Sequence, residues 1–367
     1  MPSVLELVKY FLRLGALGFG GPVALAESMR RDLVETRRWI TPEEYEDGLA
    51  LSAACPGPLA YQLGVYCGYV RHGILGGLAI ALAFGLPPFA IVVAAAALYM
   101  QFAANWWLRG LFYGIGPAVV ALIVRASWNL GRRMLRTDRA AWIFAVIAGT
   151  ITIILQREIA LLFVAAGILG IIVFGRVPSR VTPLVVAPPS IFLFFFKTGL
   201  LVFGSGLVIV PLLKTQVVDQ YHWLSDRQFL DAVAIGMISP GPVVITATFV
   251  GYLLDGFVGA LAATVGIFLP PVLFVICATP LLLRYRSNPA LRGFIRGIGT
   301  AVVGVLAGTT WLIGRAAIGD WPTLLIAAVC MIILLRWSRL PEPAIIAAAG
   351  VIGLIVYRLL QPAWVLH

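Results

Sequence analysis

Apolar residues run through this chain in long blocks, and polar residues are confined to short stretches between them. Blocks such as Ile74 to Met100, Ile159 to Phe174, Ile191 to Leu213, Gly256 to Leu283 and Pro341 to Val356 are long enough for helices that cross a bilayer. The pattern predicts five full spans in each half of the chain. These are roughly 4–22, 73–101, 108–130, 140–156 and 158–175, then 189–212, 256–283, 291–313, 321–336 and 341–360. Two further segments, 43–70 and 227–254, are apolar and helical in period but interrupted. Each holds a Pro-Gly-Pro: Pro56, Gly57 and Pro58 in one, Pro240, Gly241 and Pro242 in the other. Proline lacks the N–H and clashes with the preceding turn, so neither copy can continue a helix. Lipid cannot satisfy the freed backbone groups, which must be buried in protein or line a wet cavity. Two matched breaks therefore point to a transport site.

The match is no accident of composition. A shift of 184 lays Trp39 on Trp223, Asp47 on Asp231, Gly15 on Gly199 and one Pro-Gly-Pro on the other. After a one-residue deletion a shift of 183 lays Leu86-Pro87-Pro88 on Leu269-Pro270-Pro271 and Gly114-Ile115-Gly116 on Gly297-Ile298-Gly299. The chain is a tandem duplication, with repeats at 1–180 and 185–367 joined by a stretch rich in proline and arginine from Arg176 to Pro189. The expected fold is all-α: a polytopic membrane protein of two repeats, each with about five spans plus one broken segment.

Composition agrees with a membrane protein and excludes a soluble domain: 61% of residues are hydrophobic, 12% are charged and the mean hydropathy is +0.98. Glu6, Lys9 and Arg13 interrupt the first apolar stretch, so no secretory signal pattern is expected. The net charge of +11 resides mostly in short loops, where it sets topology and does not indicate nucleic acid. If each broken segment is a re-entrant hairpin, one side collects seventeen of the 27 basic residues and the other six; if both segments cross fully, the split is nine against fourteen. The positive-inside rule favours hairpins, and five crossings per half then invert the second repeat relative to the first. The four cysteines (Cys55, Cys67, Cys277 and Cys330) lack metal-ligand spacing and read as buried apolar side chains. No metal, cofactor or catalytic residue is expected.

Each broken segment begins with a helix-start signal, Thr41-Pro42-Glu43-Glu44 or Ser225-Asp226-Arg227-Gln228. About 14 residues of helix, roughly 20 Å, would carry the break towards the midplane. The half-helix beyond it presents free N–H groups and a partial positive charge, a natural anion site unless the break is only a packing kink. Asp47 and Asp231, nine residues before each break, are candidates for carrying a coupling proton or, alternatively, first-turn acids facing the helix dipole. Arg13 and Lys197 are symmetry mates inside the first span of each half. Lys197 has no acid in its own helix and is the sharper oxyanion ligand, whereas Arg13 fits a snorkelling stripe as well. Gly20 and Gly21, with Gly204, Ser205 and Gly206, permit close backbone approach to a ligand or a neighbouring helix. Gln62 and Thr246 follow the breaks and can donate hydrogen bonds there, or make ordinary interhelical contacts. The histidines lie in loops or at the terminus.

These residues together resemble the chromate ion transporter family. The resemblance rests on Phe11-Leu12-Arg13-Leu14-Gly15, Gly18-Phe19-Gly20-Gly21-Pro22, Arg37-Arg38-Trp39-Ile40 and Pro56-Gly57-Pro58-Leu59-Ala60. Their second-half counterparts are Val202-Phe203-Gly204-Ser205-Gly206, His222-Trp223-Leu224, Gln228-Phe229-Leu230-Asp231 and Pro240-Gly241-Pro242-Val243-Val244. It covers nearly the whole chain and implies the two-domain, long-chain type. It further implies proton-driven efflux of chromate across the cytoplasmic (inner) membrane of a prokaryote, giving chromate resistance. The implied partners are chromate or a related oxyanion, protons and the bilayer, with a homodimer left open and no nucleic acid. One departure is Met29-Arg30-Arg31, where the family pattern has a histidine followed by a basic residue, so no histidine proton role carries over. A sulfate or other oxyanion carrier that takes chromate as a mimic is the alternative within transport. A membrane-embedded enzyme or a channel is the alternative outside it, and no nucleophile–base pair appears within the spans.

Overall fold

A computed structural model describes residues 2–19, 21–103, 105–135, 139–155, 191–202, 209–285, 318–337, 340 and 342–360, with scattered helical positions from 300 to 317. Among these residues there is no β-strand. The helices are α1 (Val4–Leu17), α2 (Gly21–Met29), α3 (Pro42–Ala54), α4 (Leu59–Phe102), α5 (Trp106–Met134), α6 (Arg139–Leu155), α7 (Ile191–Leu201), α8 (Ile209–Leu213), α9 (Asp226–Ile238), α10 (Thr246–Tyr285), α11 (Trp321–Arg336) and α12 (Glu342–Leu360). Four described helical stretches have the length and apolarity to cross a membrane: Leu59–Phe102, Trp106–Asn129, Val243–Cys277 and Glu342–Leu360.

Both anticipated helix starts are present. The Thr41 and Ser225 hydroxyls cap α3 and α9, and Glu44 and Gln228 reach back to complete each capping box. Both helices stop just before their Pro-Gly-Pro. The second half-helix of the first repeat then returns beside α3: the Tyr66 ring packs on Gly48, and Arg71 pairs with Glu44 and donates to the Trp39 carbonyl. Burial alone would push the Glu44 carboxyl up, but the Thr41 N–H and the Arg71 guanidinium outweigh it and hold the group below its ordinary range.

The long helices α4 and α10 each fold back on themselves. His72 and Gly73 break α4, with φ of 61° at Gly73, and Asp255 and Gly256 break α10, with φ of 53° at Gly256. Glycine is needed there because L side chains rarely adopt positive φ. The two arms of α4 then lie antiparallel, with the Tyr61 hydroxyl donating to the Ala81 carbonyl (3.0 Å) and Gly68 packed on Gly76. In α10, Thr248 and Thr264 hydroxyls meet at 2.7 Å and Gly251 packs on Gly259.

The expected first span, 4–22, takes a different form. α1 ends at Leu17, and α2 with a π-helical turn at Arg30–Thr36 runs back along it. Leu25 packs on Gly18, and the Tyr10 hydroxyl donates to Asp32 (3.4 Å). The N-terminus itself lies beside the α4 turn, where His72 Nε2 is 2.9 Å from the Pro2 carbonyl. Fourteen helical residues reach about 21 Å, short of a hydrocarbon core about 30 Å thick. The second repeat shows the same plan at the 184 offset, with a π-helical turn at Lys214–Gln220 and Phe194 edge-on against Trp223 as Tyr10 is against Trp39; there Lys214 also pairs with Asp226 (3.1 Å). Cys55, Cys67 and Cys330 are buried as expected, whereas Cys277 sits on an exposed face of α10.

The repeats interlock. α5 packs on α11 and α12 of the other repeat, with Gly114 against Ala349 and Gly353 and the Tyr113 hydroxyl donating to Asp320 (2.7 Å). In return Gly304 packs on Ala145 of α6. Ser127 and Thr310, which correspond at the 183 offset, meet each other at 3.3 Å and so mark the pseudo-twofold axis. The first repeat's hairpins open beside His72 at one end of the long α4 arm. Asp231, near the opening of the second repeat's hairpin, meets Tyr99 at the other end of that arm.

Candidate substrate site

The Pro-Gly-Pro segments form the apices of the two hairpins, and each apex docks on the other repeat. Gly57 donates its N–H to the Val202 carbonyl at the end of α7, and Gly241 donates to the Gly18 carbonyl at the end of α1 (2.9 Å). Gly18 and Val202 correspond at the 184 offset, so one bond is made twice across the twofold. The diproline steps of α4 and α10 complete the junction: a Cβ on Gly57 would lie 2.7 Å from Pro271, and one on Gly241 would lie 3.1 Å from Pro88. Gly57 has φ of 140° and Gly241 of 89°, values that require glycine.

Beyond the first apex α4 begins at Leu59 with no side-chain cap, and its first helical bond runs from the Gln62 N–H to the Pro58 carbonyl (3.0 Å). Among the described residues the Leu59, Ala60 and Tyr61 N–H groups have no intrahelical acceptor and form the donor end of a helix N-terminus. The second apex is tighter: a 3-10 turn at Val243–Ile245 precedes α10, and the Thr246 hydroxyl donates to the Val243 carbonyl (2.8 Å). Gln62 is fully buried, and its Nε2 donates to the Pro56 carbonyl (2.7 Å). Its Oε1 is the one buried side-chain polar atom among the described residues that has no hydrogen-bond partner.

The remaining anticipated residues fall into three groups. Lys197 is half-buried on α7, five residues before Val202 and thus about 7.5 Å along the helix axis from the Gly57 contact. Arg13, its mate on α1, is exposed, and neither makes an ion pair among the described residues. Gly21 opens α2, while Gly20, Gly204, Ser205 and Gly206 lie outside the described residues. The two aspartates differ: Asp47 is half-buried, whereas Asp231 is only 4% exposed and accepts a 2.7 Å hydrogen bond from the Tyr99 hydroxyl of the first repeat. Tyr99 was not among the anticipated residues, because its counterpart at the 183 offset is Leu282 and the repeat comparison carries no trace of it. No cluster of metal-ligating side chains occurs among the described residues.

Comparison with known proteins places this chain in a family. No solved structure matches the chain. The chain is 43% identical over 378 residues to the chromate transport protein of Cupriavidus metallidurans, covering 97% of this chain and 94% of that protein. It is 40% identical over 382 residues to a probable chromate transport protein of Synechococcus elongatus, covering 97% and 96%. An uncharacterized transporter of Bacillus subtilis, YwrA, matches at 31% over 173 residues, which is 46% of this chain and 97% of its own length. The family model described as chromate transporter matches twice, at residues 5–171 and 189–354, once for each repeat. This multi-pass helical membrane protein belongs to the chromate transporter family.

Proposed function

We propose that this protein exports chromate, or a tetrahedral oxyanion closely like it, across the inner membrane in exchange for protons, and so confers chromate resistance. The reading rests chiefly on the reciprocal docking of the two Pro-Gly-Pro apices, each beside a helix N-terminus. Oriented N–H groups favour an anion without demanding a fixed cation, which suits a site that must release its cargo. Lys197, about 7.5 Å along the helix axis from the Gly57 contact, supplies long-range positive charge, and the flanking glycines let the backbone approach. The two repeats stand inverted in the bilayer, each contributing one re-entrant apex at mid-depth. Asp231 carries the coupling proton, being buried and shared between repeats through Tyr99.

Uptake of radiolabelled chromate into inside-out vesicles tests the reading, with excess sulfate and a proton ionophore added in turn. Accumulation that collapses with the ionophore is the expected result; uptake indifferent to it removes proton coupling. Lys197→Ala should lose uptake at an unchanged membrane level, and full activity would end its role at the anion. Inversion is tested by Thr36→Cys and Gln220→Cys in a cysteine-free background. Both positions are exposed, and an impermeant reagent should label them from opposite faces.

A further inference from the structure

Gln62 presents an acceptor where a site for a bare dianion would present only donors. Its amide orientation is fixed, because turning it over would set Oε1 against the Pro56 carbonyl oxygen that Nε2 now satisfies at 2.7 Å. The amide packs on the first apex itself: a Cβ on Gly57 would lie 2.6 Å from Nε2 and 2.7 Å from Cδ. Oε1 is thus held beside the uncapped first turn of α4, fully buried and without a partner. No described side chain donates to it. Pro271 and Val202 pack here from the other repeat, and the neighbouring Tyr61 hydroxyl is committed to the Ala81 carbonyl.

We propose that the first apex binds the monoprotonated oxyanion, with the N–H groups of Leu59, Ala60 and Tyr61 on its unprotonated oxygens and Gln62 Oε1 accepting its O–H. This rests on the oxyanion-transport reading and adds which protonation state is read. A tetrahedral dianion has four acceptor oxygens and would leave Oε1 unsatisfied and facing negative charge. A hydrogen oxyanion has the one donor that Oε1 lacks. The distinction separates near-isosteric anions by acidity: hydrogen chromate persists near neutral pH, whereas hydrogen sulfate loses its proton except in strong acid. The second apex has no such reader, since Thr246 stands at the matching position with its hydroxyl turned to Val243.

The test is calorimetric titration of the purified full-length protein with sodium chromate from pH 6 to pH 9, in buffers of differing ionisation enthalpy. Above the pH at which hydrogen chromate loses its proton, binding should take up about one proton per anion, and the apparent Kd should rise roughly tenfold per pH unit. Sodium sulfate should fail to displace chromate. Gln62→Met keeps the side chain's length without the acceptor; it should abolish the proton uptake, flatten the pH dependence and admit sulfate. The same titration of Asp231→Asn keeps the two proton sites apart, because uptake due to the substrate survives that change. Chromate binding with no proton uptake, or sulfate competing equally with chromate in the unaltered protein, overturns the inference while leaving transport intact. Absence of chromate binding at every pH counts against the transport reading itself.

Discussion

The two hairpins descend from one ancestral sequence, yet they have come to hold different chemistry. The first has an open helix N-terminus and the unsatisfied Gln62 oxygen at its apex, and an Arg71–Glu44 clamp at its base. The second has a tightened 3-10 apex closed by Thr246, and a buried carboxylate, Asp231, bonded across the repeats by Tyr99. Leu254 and Gln228 stand where the first repeat has Arg71 and Glu44, so the clamp is absent from the second. Duplication freed each copy to keep the shared scaffold and lose half of the chemistry. On this reading the first repeat handles the anion and the second the proton.

The largest expected effect comes from the feature the hairpins still share. Gly57→Ala and Gly241→Ala each force an L side chain into positive φ, a strain of about 1–3 kcal/mol. Both should stop chromate uptake, and Gly57→Ala should also lower thermal stability in detergent more, because its Cβ meets Gln62 and Pro271. Wild-type uptake by Gly57→Ala would show that the apex is mere packing. Next in size is the asymmetry of the acids. Asp231→Asn should lose accumulation driven by a pH gradient but keep chromate–chromate exchange, whereas Asp47→Asn should retain most of both. Equal losses would mean that the repeats share the proton.

Smaller effects refine the comparison. Tyr99→Phe removes one buried hydrogen-bond donor and should cost about 1 kcal/mol in unfolding, read in a detergent melt. Leu282→Phe, the matching position, should be near neutral, and a comparable cost there would remove the asymmetry. Glu44→Gln should do least. The folded state holds the Glu44 carboxyl below its ordinary value of 4.5, so the clamp's contribution is present above that pH and is lost as pH falls through the lowered value. For a partly exposed pair it amounts to no more than about 1 kcal/mol. The melting temperature of Glu44→Gln should therefore match the parent in strong acid, fall below it as pH rises through the lowered value, and show the full gap above about pH 4.5. A constant gap across pH would assign the effect to packing.

Much of this was legible in the chain because it lies in short-range chemistry. The caps at Thr41 and Ser225, the breaks at both Pro-Gly-Pro copies and the repeat offsets depend on local spacing, and the structure places the helix ends there. The turn after Leu17 was not legible as a turn. Residues 4–22 have the length and apolarity of a span, and Gly18 and its neighbours read equally as a close-packing surface. Only the return of α2 to Tyr10 and the N-terminus to His72 distinguishes the two. Tyr99 is invisible for a different reason: its partner is 132 residues away, and no periodicity links them. Gln62 was legible as a donor near the break, but its unsatisfied oxygen emerges only once the Pro56 carbonyl claims the amide nitrogen.

The bond that Gly57 makes to Val202 and Gly241 makes to Gly18 has a kinetic consequence. Two equivalent latches related by a twofold give the molecule two equivalent ways to open. On the inverted arrangement proposed above, releasing one while the other serves as pivot would expose the junction at one end of the long helices, and releasing the other would expose it at the opposite end. Because the latches are made of the same groups, neither opened state is favoured by its latch. On the proposed proton-coupled reading, a small bias, such as one proton or one bound anion, would then suffice to decide which way the molecule faces.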